Sequence, residues 1–497
     1  MTNYTKFAVK GTITVLVISL LAAFLGYLVR FILARNLTVE DFGLFNSIFA
    51  FLAMLGIFKS LGFDKALIYF IPKFKHENRN DLIKSSIIYS AVIQLITNFI
   101  VIIAIYLLSS YLSIKFFHSP KSDIVLKLMA IAFFVDSFVQ ILKFAFQGFK
   151  EMTYFSGIDL VRMLLILIII IIGFKLNYGL LSPIIAYVIT PLILIFIFGL
   201  ILTKKVFPEF AKSKFILSKN ALKRISKYSI FLVESNGAGL ILYYTDIMAL
   251  TYFSTLVNVG LYSVALPTAK VLMYFPRAIH AISMPLTAEL WSKGEKKLLK
   301  MGIEDLYKYS FIIAIPAVFI LFSFADLLIA VLYGKDYILA ALPMKILSIG
   351  MLFEILSFVN WSFFSGIGEP RINSKALYYA AIFNLIGNLI LIPMLGMNGA
   401  AIATALSSLI ILLYGFMKIR GFIKVRFPLK IWIKNIFAGI LFVLIIIFLK
   451  KILVLNVWTE AAIVVVLAAL CYLGLLFMMK IINLNELKSI YTRLTAK

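Results

Sequence analysis

The sequence predicts an all-α polytopic membrane protein of about 14 transmembrane helices, and three observations carry that prediction. Of 497 residues, 63% are hydrophobic and only 14% charged, where a soluble globular domain averages about 25% charged. Apolar runs long enough to cross a hydrocarbon core about 30 Å thick follow one another along the chain. The 48 Lys and Arg, which against 22 Asp and Glu give a formal charge of +26, gather in every second loop between those runs. Leu, Ile and Phe fill whole windows without period-two alternation, which excludes a transmembrane β-barrel.

The runs lie at roughly 13–34, 43–62, 85–109, 124–147, 157–174, 179–202, 226–252, 258–287, 308–332, 340–365, 376–394, 399–417, 431–449 and 458–479. The first follows a weakly basic flank, is too long for a signal-peptide core and lacks a small-residue cleavage signal, so it reads as a retained helix. Arg35 closes it, and Asn36 to Asp41 form a polar turn in which Thr38 or Asp41 can cap the second helix. Gly43 lets that helix begin close by. In the fourth run Asp136 and Lys143, seven residues apart, share a face, which suits a satisfied polar network and lowers the claim of Lys143 on a ligand. The basic stretch KKVFPEFAKSKFILSKNALKR from Lys204, with Pro208 inside it, reads as an interfacial connector. The eighth run carries Pro267, Pro276 and Pro285 and is expected to bend or unwind around Pro267 or Pro276, because proline lacks the donor and crowds the preceding turn. Pro393 stops the eleventh run. The chain then turns tightly between Gly396 and Gly399 into a small-residue surface of Ala400, Ala401, Ala403 and Ala405.

With the N-terminus cytoplasmic, Lys and Arg are about four times as frequent on the cytoplasmic flanks as on the opposite ones, loop after loop. That places both termini in the cytoplasm of a multi-pass protein of the cell membrane. The same bias accounts for most of the positive charge, so lipid headgroups and not nucleic acid are the expected anionic partners. Cys471 stands alone and His76, His118 and His280 are scattered, so no disulfide, metal or cofactor is expected. No G-x-x-x-x-G-K-[ST] loop is present, and the longest non-cytoplasmic loop, about 15 residues, is short for a glycosyltransferase site. The expectation is a protein without catalytic residues that is not an enzyme.

Glycine-containing segments recur at a nearly constant offset: Gly43 against Gly260, Gly148 against Gly366, and Gly179 against Gly399. The interval encloses six helices, an even number, so the repeated halves share one orientation and are related by an axis along the membrane normal. The expected organisation is a six-helix bundle over 1–202, a basic cytoplasmic linker over 203–225 and a second six-helix bundle over 226–420 facing the first across a central cleft. Residues 421–497 then hold two additional helices and a cytoplasmic tail.

Four segments carry a resemblance: GYLVRFILARNLTVEDFGLFNSIFAFL (26–52), SLGFDKALIYFIPKF (60–74), VGLYSVALPTAKVLMYFPRAIHAISMPLTAELWSKGE (259–295) and FNLIGNLILIPMLGMNGAAIATALSS (383–408). Together, in this order, they resemble the polysaccharide biosynthesis and export family, the lipid-linked oligosaccharide flippases of the multidrug/oligosaccharidyl-lipid/polysaccharide exporter superfamily. The resemblance spans roughly residues 8 to 420. It implies two facing six-helix bundles plus two further helices, and passage of a polyprenyl-linked saccharide across the membrane by alternating access.

A charge at the bilayer centre costs at least about 2.5–3.5 kcal/mol, so the deepest charges should face protein or water. Lys59, Arg162, Lys227 and Lys345 lie near predicted helix ends and are expected to snorkel. Arg30, Lys270 and Arg277 are expected to form a substrate-binding cationic patch, Lys270 near the middle of the eighth run and Arg277 two turns further on. Lipid pyrophosphate supplies the multiple negative charge that such a patch suits, and Arg the planar fork. The alternative is internal pairing with the deep acids Glu234, Asp246 or Glu354. These acids, with Asn384 and Asn388, are also the candidates for a polar cleft or an ion-coupling site. The expected function is therefore flipping of a polyprenyl-(di)phosphate-linked saccharide for surface polysaccharide or glycan assembly. The alternative is a cation-coupled multidrug or small-metabolite exporter of the same superfamily. Expected partners are the lipid-linked saccharide and membrane lipids, with other glycan-assembly membrane proteins left open.

Overall fold

The computed structural model describes residues 3–452 and 457–481, apart from the side chains at 3–10, 12–13, 57, 231, 233–238, 241, 278, 281, 450–452, 457–458 and 460–462. Among the described residues every regular element is helical. The chain forms two compact units, the first ending at Gly260 and the second beginning at Leu261.

The first unit contains α1 (Asn3–Asn36), α2 (Val39–Met54), α3 (Gly56–Ser60), α4 (Phe63–His76), α5 (Asn80–Lys115), α6 (Ser122–Gly148), α7 (Met152–Lys175), α8 (Leu181–Ile201), α9 (Lys219–Phe253) and the start of α10 (Leu256–Ala269). Thr38 caps α2 by accepting a hydrogen bond from the Asp41 N–H at 3.1 Å, which satisfies one of the open donors of the first turn. Phe63, Leu67, Phe70 and Ile71 all fall on one side of the short α4, at helical spacing, and bury it against Phe146 of α6 and Phe198 of α8. α1 runs along α7, and α2 packs on α9.

The approach of α2 to α10 depends on two glycines. A Cβ on Gly43 would lie 1.9 Å from the Leu256 carbonyl oxygen, and one on Gly260 would lie 2.3 Å from that of Val39. Both obstacles are backbone, so neither position has room for a side chain.

The second unit holds α11 (Tyr274–Ser292), α12 (Lys296–Ser323), α13 (Ala325–Tyr333), α14 (Ala341–Gly366), α15 (Pro370–Leu395), α16 (Met397–Ile419), α17 (Leu429–Ile452) and α18 (Val457–Met478). Its core gathers Tyr307 and Phe311 of α12, Phe363 of α14, Phe442 of α17 and Tyr472 of α18. The Tyr472 hydroxyl donates to the Ile312 carbonyl at 3.1 Å, so the last two helices dock on α12. Between α10 and α11 the backbone tightens into a 3-10 turn at Lys270–Met273, three residues beyond Pro267, where the expected break lies. Pro276 sits in the first turn of α11, where its missing donor costs no intrahelical bond.

Every one of the fourteen expected runs meets a helix, and 11 stretches among the described residues are long and apolar enough to cross a membrane. Three runs fall short of that measure for separate reasons. Run 43–62 is divided at Leu55 into α2 and α3. Run 226–252 lies in α9, whose Glu234, Asn236, Tyr243, Tyr244 and Asp246 dilute its apolar character. Of α18, Ile463–Met478 is the part whose side chains are continuously described, and it is apolar throughout.

Candidate functional site

The charged centre of the first unit is assembled around one carboxylate. Asp136 sits halfway along α6, and a helix that exposed it to lipid would cost several kcal/mol, so the surrounding helices must bring it cations. Lys59 arrives from α3. This short helix is set off by the break at Leu55 and ends at Leu61 and Gly62, with φ of 44° and 77°. Gly62 is required there twice over, since a Cβ would also lie 2.5 Å from the Ser229 carbonyl oxygen of α9. The elbow turns Lys59 inward. Its carbonyl oxygen accepts from Thr97 Oγ1 at 3.0 Å and from Asn98 Nδ2 at 2.9 Å on α5. Its Nζ lies 2.9 Å from Asp136 Oδ2 and 4.1 Å from the centre of the Phe133 ring.

Arg162 of α7 completes the junction, with Nη1 2.8 Å from Asp136 Oδ1, and Gln140 Nε2 donates to Oδ2 at 3.3 Å. Two cations on one carboxylate leave a net positive charge, and the side chains of Lys59, Arg162 and Asp136 are only 10%, 18% and 21% exposed. In so dry a setting each ion pair is held by the high cost of leaving either partner alone. One face of the junction borders a cavity of about 480 Å³ lined by Lys59, Asp64, Lys65, Asp136, Gln140 and Tyr244, among others. The other borders a cavity of about 170 Å³ that contains Arg162, Tyr187 and Thr190. Ala53, Phe133 and Asp136 belong to both walls.

One expectation is corrected here. Lys59 and Arg162 do not snorkel; the α3–α4 elbow and the packing of α7 beside α6 bring them inward onto Asp136. Lys143, on the same face of α6, is satisfied as expected, and its partner comes from a neighbouring helix. It meets Asp159 on α7, with Nζ 2.6 Å from Oδ2.

Among the residues expected to bind substrate, Arg30 is half-buried on α1. In the second unit, Lys270 is half-buried at the start of the 3-10 turn and Arg277 is exposed on α11. Asp246 is buried on α9 and Glu354 half-buried on α14; Glu234 belongs to α9, and its side chain lies outside the described residues. Asn384 and Asn388 are fully buried on α15. Asn388 Nδ2 donates to Asn384 Oδ1 at 3.0 Å, and Asn384 Nδ2 to Thr404 Oγ1 of α16 at 3.3 Å, a polar tie between neighbouring helices.

A family model described as polysaccharide biosynthesis protein matches residues 8–291. The chain is 34% identical over 504 residues to "Uncharacterized membrane protein MJ1068" of Methanocaldococcus jannaschii, covering 99% of each. It is 26% identical over 209 residues to "Probable low-salt glycan biosynthesis flippase Agl15" of Haloferax volcanii, covering 42% of this chain and 44% of that one. Among solved structures, the lipid II flippase MurJ in its inward closed conformation has a similar fold, with a TM-score of 0.71 at 17% identity over 98% of this chain and 100% of the other.

Proposed function

The chain belongs to the polysaccharide biosynthesis protein family, and on that premise we propose that it flips a polyprenyl-(di)phosphate-linked saccharide across the cytoplasmic membrane. The observation that carries this reading is the net-positive junction of Lys59, Arg162 and Asp136 bordering a cavity of about 480 Å³. An anionic lipid headgroup is the ligand that a surplus of buried positive charge favours, because the charge–charge term gains strength where water is scarce. Arg30, Lys270 and Arg277 are the further cations proposed to hold the carrier phosphate. An exporter of cationic drugs would place its weight on Asp246, Glu354 and the Asn384–Asn388 pair instead.

The proposed architecture is fourteen crossings, with α2, α9 and α18 added to the eleven, arranged as two six-helix halves of one orientation with both termini cytoplasmic. The glycine contacts support the repeat. Gly43 packs on Leu256, four residues before Gly260, while Gly260 packs on Val39, four residues before Gly43. Such reciprocity, in which one residue meets its partner's neighbour and the partner meets its own, is what a two-fold axis between equivalent segments produces.

Thermal unfolding of the detergent-solubilised protein tests the substrate class. A ligand that binds the folded state alone raises the melting temperature. Polyprenyl-diphosphate-linked saccharide is expected to raise it and a lipophilic cation to leave it unchanged. The reverse pattern would favour the exporter.

A further inference from the structure

The elbow between α3 and α4 places a second carboxylate near the junction. Asp64 stands in the first turn of α4 and is only 6% exposed, yet it makes no ion pair with any described residue. The backbone on its N-terminal side is fixed: the Ser90 hydroxyl donates to the Phe63 carbonyl at 3.1 Å, and the Gly62 N–H donates to Ser60 Oγ at 3.2 Å. Asp64 Oδ1 accepts the Lys65 N–H at 2.8 Å. An ionised carboxylate offers about four acceptor sites, so one bond leaves most of that capacity unmet. Oδ2 takes no hydrogen bond from a described residue and is not sealed in by its neighbours, and Asp64 forms part of the wall of the cavity of about 480 Å³. The N-terminal end of α4 favours a negative charge there, but it brings no donor to Oδ2.

Other polar groups of the same wall complement this carboxylate. Gln140 donates to Asp136 through Nε2 and keeps Oε1 as an acceptor, Tyr244 brings a hydroxyl from α9, and Lys65 follows Asp64 on α4. The set mixes acceptors with donors. Lys65 disfavours a metal cation and Asp64 disfavours an acidic sugar, whereas a sugar hydroxyl both donates and accepts. We infer that this wall is a sugar subsite, in which Asp64 Oδ2 and Gln140 Oε1 accept from hydroxyls of an uncharged sugar and the Tyr244 hydroxyl adds a further contact. The volume agrees, since small-molecule sites run from roughly 300 to 1,000 Å³. Phe144 and Leu240 add apolar surface for the C–H face of the sugar ring. The inference rests on the flippase reading and narrows its substrate: the junction holds the carrier phosphate, and Asp64 selects a neutral first sugar beside it.

Binding to the full-length protein in a sugar-free detergent tests the subsite, with four probes. These are polyprenyl diphosphate, the same carrier bearing a neutral hexose (glucose, galactose or N-acetylglucosamine in turn), the carrier bearing glucuronate, and the methyl glycosides of the neutral hexoses. At least one neutral-hexose carrier should bind about tenfold or more tighter than the bare carrier, the worth of one charge-assisted hydrogen bond. The glucuronate carrier should bind no tighter than the bare one. Asp64→Asn keeps the size and removes the charge. It should cut the preference for the neutral sugar to about threefold or less and leave the affinity for the bare carrier intact, a selective loss that a merely structural Asp64 would not show. Should Asp64→Asn fail to fold, Tyr244→Phe removes one hydroxyl and should lower the preference a few-fold. Equal binding of bare and neutral-sugar carriers, preference for glucuronate, or variants that weaken every carrier alike would overturn the proposal. So would a sodium-dependent rise in melting temperature that vanishes in Asp64→Asn without any sugar preference, which would make Asp64 a cation site. Methyl glycoside binding that depends on Asp64, with no carrier bound, upholds the subsite and removes the flippase. Carrier binding without sugar preference does the opposite, and binding of no probe removes both.

Discussion

Asp136→Ala is expected to destabilise the protein by about 3–5 kcal/mol, the cost of breaking a buried ion pair by removing one partner. The substitution leaves Lys59 and Arg162 facing each other across a dry junction with no anion between them. Lys59 is held in place, because its backbone carbonyl is fixed by Thr97 and Asn98 and its ammonium lies over the Phe133 ring. The neighbouring Lys143–Asp159 pair is the internal comparison. Asp159 is 36% exposed, so water compensates for a lost partner there, and Lys143→Ala should cost no more than about 1 kcal/mol. Unfolding followed by circular dichroism in detergent reads both variants. Equal losses would mean that the Asp136 junction is as hydrated as its neighbour.

Lys270→Ala is expected to abolish transport while leaving membrane insertion and melting temperature near those of the unaltered protein. Lys270 opens the 3-10 turn that interrupts the path from α10 to α11, a place where the helix is already locally rebuilt. Alanine there removes one of the charges proposed to meet the carrier phosphate and adds no strain. Arg277→Lys, which keeps charge and loses the two-pronged fork, should slow transport without stopping it. Measured in proteoliposomes by loss of carrier from one leaflet, unchanged rates in Lys270→Ala would return that residue to a structural role.

Much of the fold was legible because local chemistry decided it. Fourteen apolar runs met helices because bilayer thickness dictates helix length. Thr38 was readable as a cap because a short oxygen-bearing side chain just before an apolar run satisfies an open donor, and the 3-10 turn lies just beyond Pro267. The charged junction was not legible in the same way. Helical spacing correctly put Asp136 and Lys143 on one face, yet which helix comes to meet that face is a tertiary fact: the partner of Lys143 lies on α7, and Lys59 is 77 residues from Asp136 in the chain. The signal that could have revealed it was Gly62, three residues after a lysine close to the end of a run. Read as an elbow and not as the loop after a full crossing, it turns Lys59 inward.

The central claim is that a membrane-embedded cationic site handles the anionic head of a lipid-linked saccharide. Its most direct test is the transbilayer exchange rate of a polyprenyl-diphosphate-linked saccharide in liposomes containing the purified protein. The account predicts exchange well above that of protein-free liposomes for the diphosphate carrier, and none above background for the same saccharide on an uncharged lipid. Equal exchange of the charged and uncharged carriers, or a rate for the diphosphate carrier no higher than in protein-free liposomes, would contradict it.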